Sequence, residues 1–294
     1  MEASSAQIVL SVIIPAYNAA ETIGEQLTAL ARQTFEKPWE VIVADNGSTD
    51  QTVAVAESFH TKIGNLKIVD ASGKQGAAYA RNVGANAAVG NGIAFCDADD
   101  VVGEGWVAAI FQGIESHGFV ASRFDIKRLN SGWVVKNIGG PQHSGIQQYV
   151  NPPYLPHAGG SGLGVRRDLH ELVGGFDPAM RLLEDTDYCW RLQLLGHALH
   201  FAPQAVVHVR YRSSTRAIAR QYRSWGKANV LLYKKYRDKG MPRYDWKSGI
   251  NAWFRFPRLL ARIRSKNALK TWWRKVNWRI GRLQGCWEYG VFAP

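Results

Sequence analysis

Ile8-Val9-Leu10-Ser11-Val12-Ile13-Ile14-Pro15 is a short apolar, β-branched run stopped by proline, with Ala16-Tyr17-Asn18 directly behind it. A run of this length and composition, ended by a breaker, predicts a buried strand. Working outward, Ala19 to Gln33 carries Ile23, Leu27 and Leu30 at helical spacing, and Trp39 to Ala44 forms a second strand before the turn signal Asp45-Asn46-Gly47. Thr52 to His60 predicts a second helix, Leu66 to Asp70 a third strand and Gly76 to Ala88 a helix of small residues. Gly92 to Cys96 is a fourth strand that runs into Asp97-Ala98-Asp99-Asp100. This alternation predicts an α/β fold, with a parallel sheet covered by helices on both faces. Ligands of such sheets bind beyond the carboxyl ends of the strands. Three strand ends here are polar: Tyr17-Asn18, Asp45-Asn46 and Asp97 to Asp100.

Farther along, the pattern loosens. Ser122 to Ile138 is read as strands, Gly139 to Gly164 as a loop over a pocket, and Arg181 to Leu195 as a helix that begins with acidic residues. Gly159-Gly160-Ser161-Gly162-Leu163-Gly164 lacks the dinucleotide-binding spacing and carries no cofactor weight.

The 294 residues, 46% of them hydrophobic, suffice for one sizeable core and an appended unit. Met1 to Gln7 has neither the basic nor the apolar segment of a signal peptide, and no apolar run reaches the roughly 18 residues of a membrane span. A cytoplasmic location is therefore expected. Three cysteines, Cys96, Cys189 and Cys286, suggest neither a disulfide framework nor a zinc site. The net charge of +12 hides an asymmetry: from Val206 onward 22 Lys and Arg face three acidic residues, and seven of the 11 tryptophans lie there. The division expected is a mildly acidic catalytic domain over residues 1–205, with nucleotide-binding and acceptor parts at about 8–100 and 101–205, and a basic, Trp-rich helical region over 206–294.

Two acidic sites carry the candidate chemistry. Asp97 and Asp99, one residue apart at a strand end, can share a divalent cation with phosphate oxygens, or simply form a solvated turn. Glu184-Asp185, at a helix start, can complement the macrodipole and cap the amides. Asp185 can instead accept the proton of an attacking hydroxyl.

The order of the segments narrows these choices. Ser11 to Asn18, Val43 to Asp50, Ala80-Arg81-Asn82-Val83-Gly84, Phe95 to Asp100, Gly174-Gly175-Phe176-Asp177 and Leu183 to Asp187 together resemble the family-2 glycosyltransferases over about residues 8 to 205. The resemblance implies a GT-A, Rossmann-like fold, an inverting mechanism, a nucleoside-diphosphate sugar donor, with uracil the expected base and guanine or thymine the alternatives, and Mn2+ or Mg2+ as cofactor. By motif position Pro15, Ala16, Tyr17 and Asn18 would line the nucleotide pocket and Asp45 would meet the base. Asn46 stands where the family often has a second Asp. Arg81 would lie near the nucleotide or its phosphates, or be an ordinary exposed helix arginine. Asp97, Ala98 and Asp99 would contact nucleotide and metal, Asp185 would be the base and Glu184 would help hold the acceptor. His208 is either a further metal or diphosphate contact or a histidine at a strand edge.

Gln221-Tyr222-Arg223-Ser224-Trp225 departs from the Gln-x-x-Arg-Trp of processive relatives, which points to addition of a single sugar. Asn267 to Leu283 places Leu269, Trp272, Trp273, Val276, Ile280 and Leu283 at helical spacing among basic residues. That helix suits an anionic membrane surface, where each nearby Lys or Arg contributes roughly 1 kcal/mol, or packs its apolar face on the catalytic domain. The acceptor expected is a glycan or a lipid-linked one from cell-surface polysaccharide or glycolipid assembly. An inactive sugar-nucleotide-binding scaffold is the competing reading, and no nucleic-acid motif accompanies the basic tail.

Overall fold

The computed structural model describes residues 7–138, 140–260 and 263–294. Two compact units emerge: Met1–Leu129 with Gly140–Gln147 and Pro156–Arg210, and Asn130–Gly139 with Gln148–Leu155 and Tyr211–Pro294.

The first unit is one eight-stranded sheet in the order β3-β2-β1-β4-β7-β6-β8-β5. Its strands are β1 (Leu10–Ala16), β2 (Trp39–Asp45), β3 (Leu66–Asp70), β4 (Gly92–Phe95), β5 (Val101–Val102), β6 (Phe119–Asp125), β7 (Leu163–Arg166) and β8 (His200–His208). Its helices are α1 (Ile23–Ala31), α2 (Thr52–Glu57), α3 (Ala77–Ala87), α4 (Trp106–His117), α6 (Arg167–Leu172) and α7 (Glu184–Leu194), while α5 (Gly132–Ile138) belongs to the second unit. Alternate residues of β1 explain the unbroken apolar run. Leu10, Val12 and Ile14 join Ile23, Leu27, Leu30, Trp106 and Ile110 on one face, and Ile13 joins Ala78, Ala85, Phe95, Phe176 and Tyr188 on the other. Each fully buried aliphatic side chain contributes about 1.5–3 kcal/mol.

Small residues let α3 lie close to the sheet. A Cβ on Gly84 would come within 2.5 Å of Ile13 Cγ2, so glycine is required there. That close packing sets the position of Arg81, one turn earlier on the same helix.

The sheet is mixed, which corrects the all-parallel expectation. β1 to β4 pair in parallel, but β7 runs antiparallel to both β4 and β6, and β5 antiparallel to β8. The cause is the route of the chain. Leu163 pairs with Phe95 and Arg166 with Gly92, so β7 enters at the carboxyl end of β4 and runs back down. The strands expected across Ser122 to Ile138 are also corrected: β6 stops at Asp125 and α5 follows. β8 runs through residue 205, and the units part after Arg210.

The second unit is helical: α5, α8 (Thr215–Tyr236), α9 (Trp246–Leu260) and α10 (Lys266–Tyr289). α8 and α10 start from Ser214 and Ser265, whose hydroxyls cap the N–H groups of Ala217 and Ala268. They run side by side in the same direction, with Arg223 Nη2 donating to Asn277 and Lys234 Nζ donating to Tyr289 O. Glycine lets the two backbones touch: a Cβ on Gly281 would sit 1.8 Å from Arg223 O, and one on Gly226 2.0 Å from Trp278 O. Gly281→Ala is expected to cost about 1–3 kcal/mol through overpacking. An unchanged denaturation midpoint would mean that the helices do not meet this closely in solution.

The buried stripe of α10 is Val276, Asn277, Gly281, Arg282 and Gly285, whereas Leu269, Trp273 and Leu283 of the expected apolar face stay exposed. Arg282 lies between the rings of Tyr244 and Trp278, 4.4 and 4.9 Å from their centroids. Among the described residues no helix is long and apolar enough to cross a membrane.

Candidate active site

The carboxyl ends of β1 and β2 are stapled together by Asn18. Its backbone is left-handed at φ +47°, a conformation Asn tolerates because its short amide bonds locally. Its N–H donates to Ser48 Oγ at 2.9 Å and its Oδ1 accepts from Thr49 N–H at 2.8 Å. Pro15 and Ala16 lie under this junction, and Tyr17 projects from it half exposed. Asp45 closes β2. Its Oδ2 accepts from Ser48 N–H at 3.1 Å, while its Oδ1 is buried with no protein partner.

Asn46 faces elsewhere than the nucleotide reading expects. Its Nδ2 donates to the carbonyls of Ala71 and Lys74 at 2.5 and 2.8 Å, and its Oδ1 accepts from Gly76 N–H at 2.8 Å. Both amide hydrogens are thus committed to ordering the loop that leads into α3. A carboxylate has no hydrogens to give those carbonyls, which accounts for Asn where the resemblance often has Asp.

Arg81 is the centre of the site. It is 3% exposed, with Nη2 donating to Asp97 Oδ1 and Nη1 to Glu184 Oε1, each at 2.8 Å. The reading of Arg81 as an exposed helix arginine is therefore wrong. Burial works against its charge, yet Asp97 and Glu184 hold its pKa above the ordinary value. The guanidinium also rests over the Phe176 ring, 5.3 Å from the centroid. One cation so joins the acidic end of β4 to the acidic start of α7.

The glycine-rich run discounted above supplies the rest of this wall. A Cβ on Gly160 would lie 2.6 Å from Arg81 Nη2, so only glycine leaves room for the guanidinium. Gly160 N–H donates to Asp185 Oδ2 at 3.0 Å, and Asp97 N–H donates to Ser161 Oγ at 3.2 Å. The readable signal was the cluster of small residues itself, which permits close approach of backbone to a buried ion pair.

Glu184 and Asp185 open α7, behind Leu183 in a left-handed conformation at φ +58°. Backbone strain in a branched residue clusters at functional sites. Asp185 Oδ1 accepts from Thr186 N–H at 2.7 Å, so backbone N–H groups orient both of its oxygens. Burial and the neighbouring Asp185 charge push Glu184 up to about 7, against the opposing pull of Arg81.

Asp97, Asp99 and Asp100 bring one carboxylate oxygen each within 4.8 Å of one another. Asp99 is exposed, with Ala98 buried beside it. Asp100 is 3% exposed and accepts from Arg210 N–H at 2.8 Å. Burial, with the charges of Asp97 and Asp99, pushes Asp100 well above the usual carboxylate range. His208 is not part of this group; its Nδ1 is 2.6 Å from Asp125 Oδ2. β6 and β8 place that pair in direct register. Asp125 is missed by the sequence reading because only strand register brings it to His208.

The description Glycosyl transferase family 2 fits residues 11–174, more than half of the chain. Glycosyltransferase AglE of Haloferax volcanii is 30% identical over 227 residues, 76% of this chain and 74% of that protein. The mannosyltransferase PcManGT from Pyrobaculum calidifontis, solved with GDP-Man and Mn2+, superimposes with a TM-score of 0.66 at 19% identity, covering 97% of this chain and 88% of that one. Residues 1-349 of Staphylococcus aureus TarS, solved with UDP-GlcNAc, give 0.54 at 18% identity, over 97% and 93% of the two chains. The two solved structures speak for the fold, and the matched segment together with AglE speaks for the lineage. The chain belongs to glycosyl transferase family 2 and is a nucleotide-sugar-using glycosyltransferase of the GT-A fold.

Proposed function

We propose that this enzyme moves a single sugar, with inversion, from a nucleoside-diphosphate sugar to a hydroxyl of a glycan or lipid-linked acceptor. The observation that carries the reading is the double ion pair of Arg81. It holds Asp97, at the end of β4, and Glu184, at the start of α7, to one guanidinium although they lie far apart in sequence.

The residues present fit a divalent cation. The three grouped carboxylates give an oxygen donor set that suits Mg2+ or Mn2+. Burial and, after it, the charges of Asp97 and Asp99 raise Asp100, and a cation offsets the repulsive part. Asp99 and Asp97 would hold it, with Asp100 fixing the turn between β4 and β5. When bound, it neutralises charge that develops on the departing diphosphate. His208 would add a nitrogen ligand through Nε2, since the Asp125 carboxylate at Nδ1 fixes the tautomer, as carboxylates do behind metal-bound histidines. His208→Ala is then expected to weaken Mn2+ binding, and Asp125→Ala, which removes the carboxylate behind it, to weaken it about 10–100-fold. A calorimetric titration with the native constant would take His208 out of the metal's surroundings.

The rest is positioning and proton transfer by the chain. The Asp45 carboxylate, at the end of β2, would accept from the imide N–H of uracil, and Tyr17 follows the neighbouring end of β1. Asp185, oriented by two backbone N–H groups, takes the proton of the acceptor hydroxyl as that oxygen attacks the sugar face opposite the diphosphate. Arg81 keeps the two carboxylate sites in register, and Glu184 borders the acceptor.

PcManGT and TarS were solved with GDP-Man and UDP-GlcNAc, so both bases belong in the assay panel. Nucleoside-diphosphate release is to be measured over such donors with Mn2+ or Mg2+ and membrane lipid extract as acceptor. One active donor, dependent on metal and on Asp185, is the expected result. Donor-induced stabilisation without release under any acceptor would favour the binding scaffold. The basic C-terminal region would meet an anionic membrane surface at the cytoplasmic face, where lipid-linked acceptors are found.

A further inference from the structure

An open cavity of about 410 Å3 lies within the helical unit, between α8, α9 and α10. Four cations line it: Arg255, Arg274, Lys275 and Arg279. Its remaining walls are the rings of Tyr222, Phe256 and Trp278. No acidic side chain is among its lining residues. The three acids of the region are used elsewhere: Asp238 pairs with Arg237, Glu288 with Lys227, and Asp245 accepts from Lys247 N–H. Among the described residues no carboxylate pairs with Arg255 or Lys275, both exposed at the mouth.

Two of the cations are held in place. Arg279 Nη1 donates to the carbonyls of Gly249 and Pro294 at 3.2 Å each, and the Arg274 guanidinium lies over the Tyr222 ring, 5.0 Å from its centroid. A planar guanidinium fixed in this way can donate two parallel hydrogen bonds to two oxygens of a tetrahedral phosphate. The aromatic walls call for an apolar body next to that phosphate, and the unit leaves Trp246, Phe254, Trp273 and Trp287 exposed. Like charges gathered around a cavity cost energy that an anion recovers.

We infer that this cavity binds the phosphate headgroup of an anionic amphiphile. The inference deepens the membrane reading of the C-terminal region by replacing diffuse attraction with one built site. The cavity is of ligand size, and its charge opposes that of the headgroup.

The test uses the full chain and flotation with vesicles of phosphatidylcholine, with and without phosphatidylglycerol. Native protein is expected to float only with the anionic lipid. Arg255→Ala with Lys275→Ala, at exposed positions that leave folding intact, is expected to bind roughly thirtyfold more weakly. Arg264→Ala with Lys266→Ala, equally exposed but outside the cavity, is expected to weaken binding clearly less than the cavity pair does. Equal losses in the two pairs would overturn the cavity site while leaving a diffuse membrane attraction standing. Failure of native protein to float would overturn both. Thermal protection by inorganic pyrophosphate that only the cavity pair abolishes, without flotation, would overturn the lipid source in favour of a free phosphate ligand.

Discussion

Asp185→Asn is expected to lower turnover by about 10²–10⁴-fold, the range a positioned general base supplies, while donor affinity stays near the native value. The substitution keeps the shape of the side chain and removes its ability to take a proton. Asp185 receives N–H groups on both oxygens, from Gly160 and Thr186. The amide of Asn must set its own donors against one of them, at a cost of about 1–3 kcal/mol. A melting curve therefore belongs beside the kinetics, to separate that local cost from the catalytic one. Loss of donor binding as severe as the loss of turnover would place Asp185 in the donor pocket and refute its assignment as base. Single-turnover measurement at saturating donor is the cleanest readout, because it isolates the transfer step from product release.

Arg81→Met is expected to destabilise the protein by about 3–5 kcal/mol, the usual consequence of taking one partner from a buried ion pair. For a chain of this size that lowers the melting temperature by about 6–20 °C. Arg81 lies buried, with Glu184 nearly as deep, while Asp97 keeps about a third of its side chain in water and so recovers part of the loss. Glu184 would respond by remaining protonated to higher pH, since burial and Asp185 already push it up and Arg81 opposes them. Arg81→Lys should restore little. One ammonium cannot offer two parallel arms to carboxylates on different elements, whereas a guanidinium can. A native melting temperature for Arg81→Met would mean that the two acidic sites do not share this cation in solution. Substituting Gly160 by Ala tests the same geometry from the other side, because its Cβ would occupy the space of Arg81 Nη2.

Much of the site was legible in the residues alone. Short apolar runs ending in Asn18, Asp45 and Asp97 to Asp100 could only be strands of a covered sheet, and polar strand ends mark where such sheets bind ligands. The order of the motifs ties those ends to family-2 glycosyltransferases, and that resemblance marks Asp99 and Asp185. The strand ends follow from local periodicity and spacing, which a chain carries in one dimension, whereas the roles of Asp99 and Asp185 follow from the resemblance alone.

What the tertiary structure decided are relations between residues distant along the chain. The sequence could not choose between an exposed and a buried Arg81, because an arginine on a helix with Ala78, Ala80, Gly84 and Ala85 fits either. Only the approach of α3 to Ile13, with Gly160 lying against its guanidinium, makes it the bridge between Asp97 and Glu184. Likewise Asp125 meets His208 through strand register, Asn46 turns to loop carbonyls that its own position does not announce, and β7 runs backward because the chain returns from the carboxyl edge. Hydrophobic periodicity reports which face of an element is buried. It does not report which buried polar group will find which partner, and that pairing, set by packing in three dimensions, makes the candidate active site.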